Sequence, residues 1–251
     1  MIILITGSSS GIGLQLARDY LVRSNTVYCC GRNVAKLKTL KREFPDCAQI
    51  VCFDMQNRDD CKTGLSMLPA LDLVILNAGT CEYITATSFD SEMFERVVKT
   101  NLIGTANCLE FLIPKIKPDG KLALMGSSSS YLPLPRAEAY GASKAAIEYL
   151  AKTLAISLES IAVRVSYIAP GFVQTPLTEL NDFPMPMSVS VEYASEKIRA
   201  GLSKNKAEIN FPLTFTWILK TIRVLPIGLQ QLLVARLYRS SSVRRNLDKA
   251  S

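Results

Sequence analysis

The 251-residue sequence contains no histidine. Histidine is the only side chain whose ordinary pKa lies near neutral pH. Its absence excludes imidazole-based catalytic triads, imidazole metal ligands and histidine pH switches together. If the protein moves protons at neutral pH, other side chains must carry them.

Long apolar segments and CxxC cysteine pairs are also missing. A membrane-spanning helix needs a run of about 20 apolar residues, and the sequence has none. The first apolar strand begins almost at residue 1, so we expect no leader peptide. The seven cysteines are odd in number and all lie in the first half of the chain. This pattern indicates reduced thiols, and neither a disulfide framework nor a zinc site. We therefore expect a cytoplasmic protein that holds no metal.

The net charge of +7 arises at the C-terminal end. Residues 1–200 contain as many acidic as basic residues, whereas residues 201–251 contain nine Lys and Arg against Glu208 and Asp248. The whole chain is 48% hydrophobic and 20% charged, which is typical of a globular domain and not of a disordered chain.

Short apolar runs alternate with longer amphipathic stretches over most of the chain. The runs predict six buried strands, at 2–6, 26–30, 49–53, 71–76, 121–126 and 163–169. The stretches between them predict helices at about 11–24, 33–43, 57–67, 91–115 and 138–159. Such alternation predicts an α/β fold, a single doubly wound Rossmann domain with a central parallel sheet and helices on both faces.

The pattern changes after Pro176. Residues 177–189 are rich in Met and Pro and predict a mobile flap, and a helix follows from about 190 to 203. Residues 213–225 and 228–238 predict two apolar helices with basic edges. We divide the chain into a Rossmann domain over 1–203 and a basic helical extension of the same domain over 204–251.

A Gly- and Ser-rich turn, TGSSSGIG at 6–13, follows the first strand and opens the first helix. Its glycines permit a tight turn and let the backbone approach a pyrophosphate, which the free N–H groups of the helix end would bind. The spacing is G-x3-G-x-G, not the G-x-G-x-x-G of the general dinucleotide fingerprint. The candidate phosphate-binding residues are Gly7, Ser9, Ser10, Gly11, Ile12 and Gly13.

The second predicted strand ends without an acidic residue, in CCGRN at 29–33. An NAD site commonly has Asp or Glu there, whereas an Arg suits the 2′-phosphate of NADP. Arg32 therefore favours NADP(H) over NAD(H); the alternative is a solvated surface residue. Other candidates for cofactor contact at the strand ends are Asp54, for the adenine amine, and Asn77, Ala78 and Gly79.

Six blocks of the sequence resemble the short-chain dehydrogenase/reductase family in order and spacing. They are TGSSSGIG (6–13), NAG (77–79), Asn101, Ser127, YGASK (140–144) and PGFVQT (170–175). The match covers about residues 1–176 and extends more weakly to about 203. The resemblance implies an NAD(P)-dependent oxidoreductase that transfers hydride between nicotinamide and a carbonyl/alcohol pair.

Tyr140 and Lys144 are one helical turn apart and share a helix face. A nearby cation lowers the pKa of a phenol from its usual value of about 10, so Tyr140 could donate or accept a proton without imidazole. The resemblance implies that Lys144 also holds the nicotinamide ribose, that Ser127 binds the substrate oxygen and that Asn101 anchors a water in the proton relay. Ser127 begins a run of four serines, and Ser128 is the alternative.

The segment after the sixth strand supplies the remaining candidates. The resemblance implies that Thr175 contacts the nicotinamide carboxamide, although a plain turn is the alternative. Apolar flap residues indicate a hydrophobic substrate, unless they pack in the core or a subunit interface. The cofactor candidates here are Pro170, Gly171, Val173 and Thr175; the flap candidates are Leu177, Leu180, Phe183, Met185 and Met187.

The sequence departs from the family after about residue 203, which argues against an acyl-carrier-protein-linked ketoacyl reductase. The apolar and basic residues of 213–245 could lie on a membrane surface, pack on their own domain, or join a sister subunit in the homo-oligomer that we expect. Nucleic-acid binding is disfavoured because no reading motif accompanies the basic tail. The rival to an enzyme is a non-catalytic NADP(H) sensor or scaffold, which would not need the proton-transfer residues.

Overall fold

The computed structural model describes residues 1–181 and 183–236 of the chain. Its centre is a parallel sheet, whose strands are β1 (Ile2–Thr6), β2 (Thr26–Gly31), β3 (Ala48–Cys52), β4 (Leu71–Leu76), β5 (Ile116–Met125), β6 (Arg164–Pro170) and β7 (Glu208–Phe211). They lie in the order β3-β2-β1-β4-β5-β6-β7. This confirms the doubly wound Rossmann fold, because the chain first builds the sheet outward in one direction and then continues from β4 in the other.

Helices cover both faces of the sheet. They are α1 (Gly11–Leu21), α2 (Val34–Glu43), α3 (Arg58–Leu65), α4 (Ser91–Val98), α5 (Gly104–Leu112), α6 (Glu138–Ser157), α7 (Val191–Ser203) and α8 (Leu213–Arg223), and residues 227–236 are also helical. One apolar core joins α1, α2 and α7 to the sheet, and a second joins α3, α5, α6 and α8 to it. The strands are buried on both faces, which is why they read as continuous apolar runs.

The long helix predicted over 91–115 is interrupted near its middle. Between α4 and α5, residues Lys99–Ile103 form a wider π-helical turn, in which the Gly104 N–H reaches back to the Lys99 carbonyl. Asn101 lies in this turn, and its carbonyl accepts a hydrogen bond from Thr105 Oγ1 at 2.7 Å. Such turns are frequent at functional sites, but the apolar periodicity of the sequence does not reveal them.

The sheet has a seventh strand that the sequence analysis does not predict. β7 pairs in parallel with β6, with Ile209 beside Ile168, and it buries Ile209 and Phe211. The four residues of β7 are too few to show a reliable alternating pattern in the sequence. The strand also begins with the charged Glu208, which argues against predicting a buried strand there. Glu208 forms an ion pair of 2.7 Å with Lys220 of α8.

The C-terminal helix α8 packs on its own domain along one side. Leu219 is buried in the core, and Arg223 Nη1 lies 3.0 Å from Glu148 Oε1 of α6. Two basic residues of α8, Lys220 and Arg223, therefore pair with carboxylates of the same domain. The last two residues of the predicted helix over 228–238, and the basic tail that follows, lie outside the described residues.

Two further observations bear on the classes of function. Within the described ranges, no helix is both long and apolar enough to cross a bilayer, and no cluster of three or more Cys, Asp or Glu side chains could hold a metal ion. All seven cysteines are unpaired.

Candidate functional site

A cleft of about 1060 Å³ opens at the carboxyl ends of the strands. It lies where β1 and β4 are neighbours, the point at which strand order reverses and where open α/β sheets bind ligands. The sequence-predicted residues that line it are Gly7, Ser9, Ser10, Gly11, Ile12, Arg32, Asp54, Asn77, Ala78, Gly79, Tyr140, Lys144, Pro170, Gly171, Val173 and Thr175. Gly13, Asn101 and Ser127 support these residues through contacts described below.

The glycine turn brings β1, α1 and the end of β4 close together. Gly7 and Gly11 have φ values of +71° and +53°, in the region that favours glycine. A Cβ on Gly13 would overlap the Gly7 carbonyl, and one on Gly7 would lie 2.9 Å from Ala78 Cα. Glycine is needed at 7 and 13 because backbone occupies the space of a side chain.

Asn77 and Thr6 join the ends of β1 and β4. The N–H groups of Asn77 and Ala78 each donate to Thr6 Oγ1 at 3.0 Å, and Asn77 Nδ2 donates to the Thr6 carbonyl at 3.0 Å. The sequence analysis did not identify Thr6, which is 2% exposed. Its position directly before the glycine turn was the available signal.

The start of α1 faces the cleft with its backbone donors. The N-cap residue Ser10 makes no side-chain hydrogen bond to the first turn, so N–H groups at the positive helix end are available to an anion. The Thr175 methyl group lies near Gly11, at 3.2 Å from the position of an added Cβ. We call the glycine turn at 7–13 the glycine cradle. Together with the start of α1, which has no side-chain cap, and the size of the cleft, it fits the pyrophosphate of NAD(P).

Arg32 and Asp54 meet at the mouth of the cleft. Arg32 is exposed, and its Nη1 lies 3.7 Å from Asp54 Oδ2. Asp54 Oδ1 accepts from the Gln56 N–H at 3.0 Å, which orients the carboxylate. Asn33 caps α2 by accepting from the Lys36 N–H at 3.0 Å. The structure therefore unites two candidates that the sequence suggested separately, in a loose and solvated ion pair.

Lys144 extends from α6 to the end of β5. It is 4% exposed, and its ammonium donates to the Met125 carbonyl at 2.9 Å. Its Nζ lies 5.7 Å from the centre of the Tyr140 ring. Burial lowers the pKa of Lys144 to about 8, because the charged form loses its water.

The pKa of Tyr140 moves opposite to the sequence prediction. We expected the nearby cation to lower it, but burial raises it above the usual phenol range, and the hydrogen bond with the Ser127 side chain only opposes that rise. The prediction was wrong because burial of the phenol raises its pKa more than the Ser127 hydrogen bond lowers it. The phenol is therefore protonated at neutral pH.

Ser127 directly follows the end of the β5 ladder and contacts Tyr140. It is 7% exposed, and its side chain is the hydrogen-bond partner of the phenol. The Ser129 N–H donates to Ser127 Oγ at 3.1 Å. Ser128, the alternative from the sequence, is also buried and begins a short 3-10 helix, Ser128–Ser130.

Asn101 ties the loop after β4 to α6. Its Oδ1 accepts from the Thr80 N–H at 2.8 Å, and its Nδ2 donates to the Thr80 carbonyl at 2.9 Å and to Ser143 Oγ at 3.0 Å. Ser143 adjoins Lys144 and donates to the Tyr140 carbonyl at 2.7 Å. The amide therefore holds the loop and the helix in register.

A partly buried thiol, Cys81, is a neighbour of these groups that the sequence analysis missed. Burial raises its pKa to about 11, while a hydrogen bond with Tyr83 and the charge of Lys144 oppose the rise. The thiol is neutral at physiological pH, so it adds no negative charge beside Tyr140. No motif marks Cys81 in the sequence.

The predicted flap is anchored by aromatic contacts. The Phe183 ring lies 5.2 Å from the Tyr83 ring and 6.1 Å from that of Phe172, and Phe172 lies 5.8 Å from Phe215 of α8. Tyr83 Oη donates to Asn181 Oδ1 at 2.8 Å. Spatial contact between distant segments creates this cluster, so the sequence offered no signal for Tyr83, Phe172 or Phe215.

The other flap candidates take different positions. Leu177 lines the cleft, Met185 accepts a hydrogen bond from Asn181 at its sulfur, and Met187 is exposed. Backbone hydrogen bonds from Gln174 to Val189 and from Val189 to Phe172 close the base of the loop.

Comparison with known proteins decides the family. A family model described as short chain dehydrogenase matches residues 1–183. The chain belongs to the short-chain dehydrogenase family. It is an NAD(P)-dependent oxidoreductase, and its segment beyond residue 183 lies outside the family match.

Individual relatives agree over most of the chain. An uncharacterized oxidoreductase of Myxococcus xanthus is 32% identical over 89% of this chain and 92% of its own. The closed form of serine dehydrogenase complexed with NADP+ is 25% identical, with a TM-score of 0.68 over 90% of each chain. A short chain dehydrogenase from Burkholderia cenocepacia in complex with NADP shares the fold at 23% identity, with a TM-score of 0.81 over 94% of this chain and 96% of that one.

The buried ammonium of Lys144 predicts a stability effect that depends on pH. Below pH 8 both the folded and unfolded states carry the charge, so the folded state bears the full cost of burying it; between about 8 and 10.5 only the unfolded state keeps the proton, and that cost is relieved. Lys144→Met should therefore raise the free energy of unfolding at neutral pH by up to about 3 kcal/mol, and the gain should shrink as pH rises above 8.

Urea denaturation at neutral pH and at about pH 9.5 measures this difference. Lys38→Met, at an exposed position of α2, is the control and should change stability little at either pH. A loss of stability at neutral pH in Lys144→Met would mean that the Met125 hydrogen bond outweighs the cost of burying the charge.

Proposed function

We propose that the protein transfers a hydride between NADP(H) and the carbonyl/alcohol pair of an apolar substrate. The observation that carries this proposal is the contact of Ser127, Tyr140 and Lys144 at one end of a cleft whose other end is the glycine cradle. When bound, the nicotinamide supplies or accepts the hydride. The side chains of the cleft supply position and the proton.

In this mechanism the proton moves at the Tyr140 phenol oxygen. Burial keeps the pKa of this phenol raised, so the group is protonated at neutral pH and can donate to a substrate carbonyl oxygen. The Ser127 side chain, which is the hydrogen-bond partner of the phenol, can bind the same substrate carbonyl oxygen. Oxidation of an alcohol would need the phenolate and is therefore favoured by higher pH.

Lys144 supplies positive charge beside the phenol. With a pKa of about 8, its ammonium is mostly charged at neutral pH and stabilises the phenolate left after proton donation. We further propose that Lys144 holds the nicotinamide ribose and that Pro170, Gly171, Val173 and Thr175 form the wall of the nicotinamide end. The water relay at Asn101 stays a prediction.

The preference for NADP(H) rests on Arg32. Its guanidinium is exposed at the cleft mouth and forms a loose 3.7 Å ion pair with Asp54. A 2′-phosphate offers a closer, doubly charged partner than one carboxylate. The apolar substrate class is supported by the aromatic cluster of Tyr83, Phe172 and Phe183 around the flap. A sensor without catalysis would need the cradle but not the contact between Ser127 and Tyr140.

We also propose that the exposed apolar side of the C-terminal helices lies on an anionic lipid surface. Trp217 is 67% exposed, and six further apolar residues of these helices and the turn between them are exposed as well: Leu213, Ile218, Val224, Ile227, Leu229 and Leu232. Thr214 contacts Met187, 3.6 Å from oxygen to sulfur, so this surface continues to the flap. The sequence that follows contains one acidic residue, Asp248, and four basic residues: Arg239, Arg244, Arg245 and Lys249. Its net positive charge suits acidic headgroups. Self-association and a cytoplasmic location stay predictions.

Removing the Tyr140 hydroxyl tests the chemistry. Tyr140→Phe should lower kcat by about 10²- to 10⁴-fold, the usual contribution of general acid catalysis, while NADPH binding stays within about twofold of wild type. NADPH oxidation with a panel of apolar ketones and aldehydes measures turnover. Tyr149→Phe, at an exposed position of the same helix, is the control. A Tyr140→Phe enzyme of wild-type activity would refute the mechanism.

Cofactor preference is tested at Arg32. Arg32→Ala should weaken NADPH binding by about 10- to 100-fold, because hydrogen bonds to a charged group contribute about 1.5–3 kcal/mol, with little change for NADH. Fluorescence titration with each reduced cofactor gives the two dissociation constants. Arg42→Ala, an exposed arginine of α2, should alter neither. Equal weakening of both cofactors would remove Arg32 from 2′-phosphate recognition.

Trp217 is the only tryptophan and therefore reports directly on lipid contact. Its emission should shift to shorter wavelength with vesicles containing about a third phosphatidylserine, and Val224→Glu with Ile227→Glu should abolish the shift. Ile156→Glu, exposed on α6, should leave it unchanged. An emission that depends on protein concentration and not on vesicles would instead mean that a second copy covers the surface.

A further inference from the structure

Tyr167 of β6 is a buried phenol next to the catalytic residues, and the mechanism above does not use it. It is 2% exposed. Its oxygen accepts from the Ser127 N–H at 3.3 Å and donates to the Ser127 carbonyl at 3.1 Å. One hydroxyl therefore engages both backbone polar groups of a single residue.

These bonds replace partners that the sheet no longer supplies. The Gly126 N–H bonds the Ile168 carbonyl at 2.7 Å, and Ser127, the next residue, leaves the ladder between β5 and β6. A buried backbone N–H or C=O without a partner is costly. At the point where the chain turns away from the sheet, Tyr167 accepts from the Ser127 N–H. Its bond to the Ser127 carbonyl adds to the one from the Ser130 N–H at 3.2 Å.

The fit of the Tyr167 ring depends on Gly126. A Cβ at position 126 would overlap carbon atoms and the oxygen of that ring, so the ring occupies the volume that any larger residue would need. The hydroxyl is held on its other side by Ser130 Oγ at 2.9 Å. The phenol therefore has a fixed position from which to hold Ser127.

The contacts to the Ser127 backbone determine where the Ser127 side chain lies. Its backbone is held by Tyr167, and its Oγ accepts from the Ser129 N–H while it contacts the Tyr140 phenol. A serine with a mobile backbone would place its hydroxyl less accurately, and small errors of position are expensive in catalysis.

We propose that Tyr167 is a positioning residue, which holds the Ser127 backbone so that the Ser127 hydroxyl meets Tyr140 and the substrate oxygen. The inference rests on the proposed catalytic role of Ser127. It adds a residue on β6, outside the sequence motifs, to the set that determines turnover.

Tyr167→Phe tests the proposal because it keeps the ring against Gly126 and removes only the hydroxyl. We expect kcat to fall about tenfold or more, with KM for the carbonyl substrate and the dissociation constant of NADPH within about twofold of wild type. Amide hydrogen exchange at Ser127 should also become faster, since its N–H loses its acceptor. This second readout needs no substrate.

Tyr131→Phe is the matched control. Tyr131 is 3% exposed, and its hydroxyl donates to Glu208, so this variant also removes a buried, hydrogen-bonded phenol hydroxyl. It should lower Tm to a similar extent while kcat and exchange at Ser127 stay unchanged. If both variants lose activity in proportion to their loss of Tm, the role of Tyr167 is only structural and the proposal is overturned.

A double-mutant cycle separates the failure of this proposal from that of the proposed function. If Tyr167 acts through Ser127, adding Tyr167→Phe to Ser127→Ala should cause no further loss of kcat. A further loss of about tenfold would overturn the positioning role. Full activity of Ser127→Ala alone would instead overturn the catalytic role assigned to Ser127. Wild-type kcat and wild-type exchange in Tyr167→Phe would refute only the inference about Tyr167.

Discussion

The close approach of α1 and the end of β4 to the first strand is the constraint on which the site depends. Backbone atoms occupy the space that side chains would need at Gly7 and Gly13, and Thr6 bonds two successive N–H groups after β4. This contact joins the two halves of the doubly wound sheet at its switch point. It aims the start of α1 into the cleft and sets where the loop through Gly79 passes Lys144.

Burial determines how readily Tyr140 and Lys144 gain or lose a proton. Loss of water lowers the pKa of Lys144 to about 8 and raises that of Tyr140, so the cation is easier to neutralise and the phenol harder to ionise. The hydrogen bond between the Ser127 side chain and Tyr140 opposes the rise of the phenol pKa. The position of Ser127 therefore matters, and in the structure a tyrosine of the neighbouring strand holds its backbone.

Sequence reasoning succeeded where a local pattern carries the information. The buried strands, the glycine turn and the Tyr140–Lys144 spacing each lie within a few residues of one another. Sequence reasoning missed β7, because four residues are too few to show an alternating pattern. It also missed the π-helical turn at Asn101, because that turn leaves the spacing of apolar residues almost unchanged. It also gave the wrong direction for the Tyr140 pKa, because charge is visible in a sequence while the extent of burial is not.

The sequence by itself determined the α/β class, the family blocks and the residue types able to move a proton in a chain without histidine. Only the tertiary structure decided which serine of the run meets Tyr140, that Arg32 and Asp54 form a pair, and that Tyr83, Phe172 and Phe183 surround the flap. The physical reason is that these contacts join residues far apart in the chain. Tyr167 and Ser127, 40 residues apart, meet only because β5 and β6 are neighbours in the sheet.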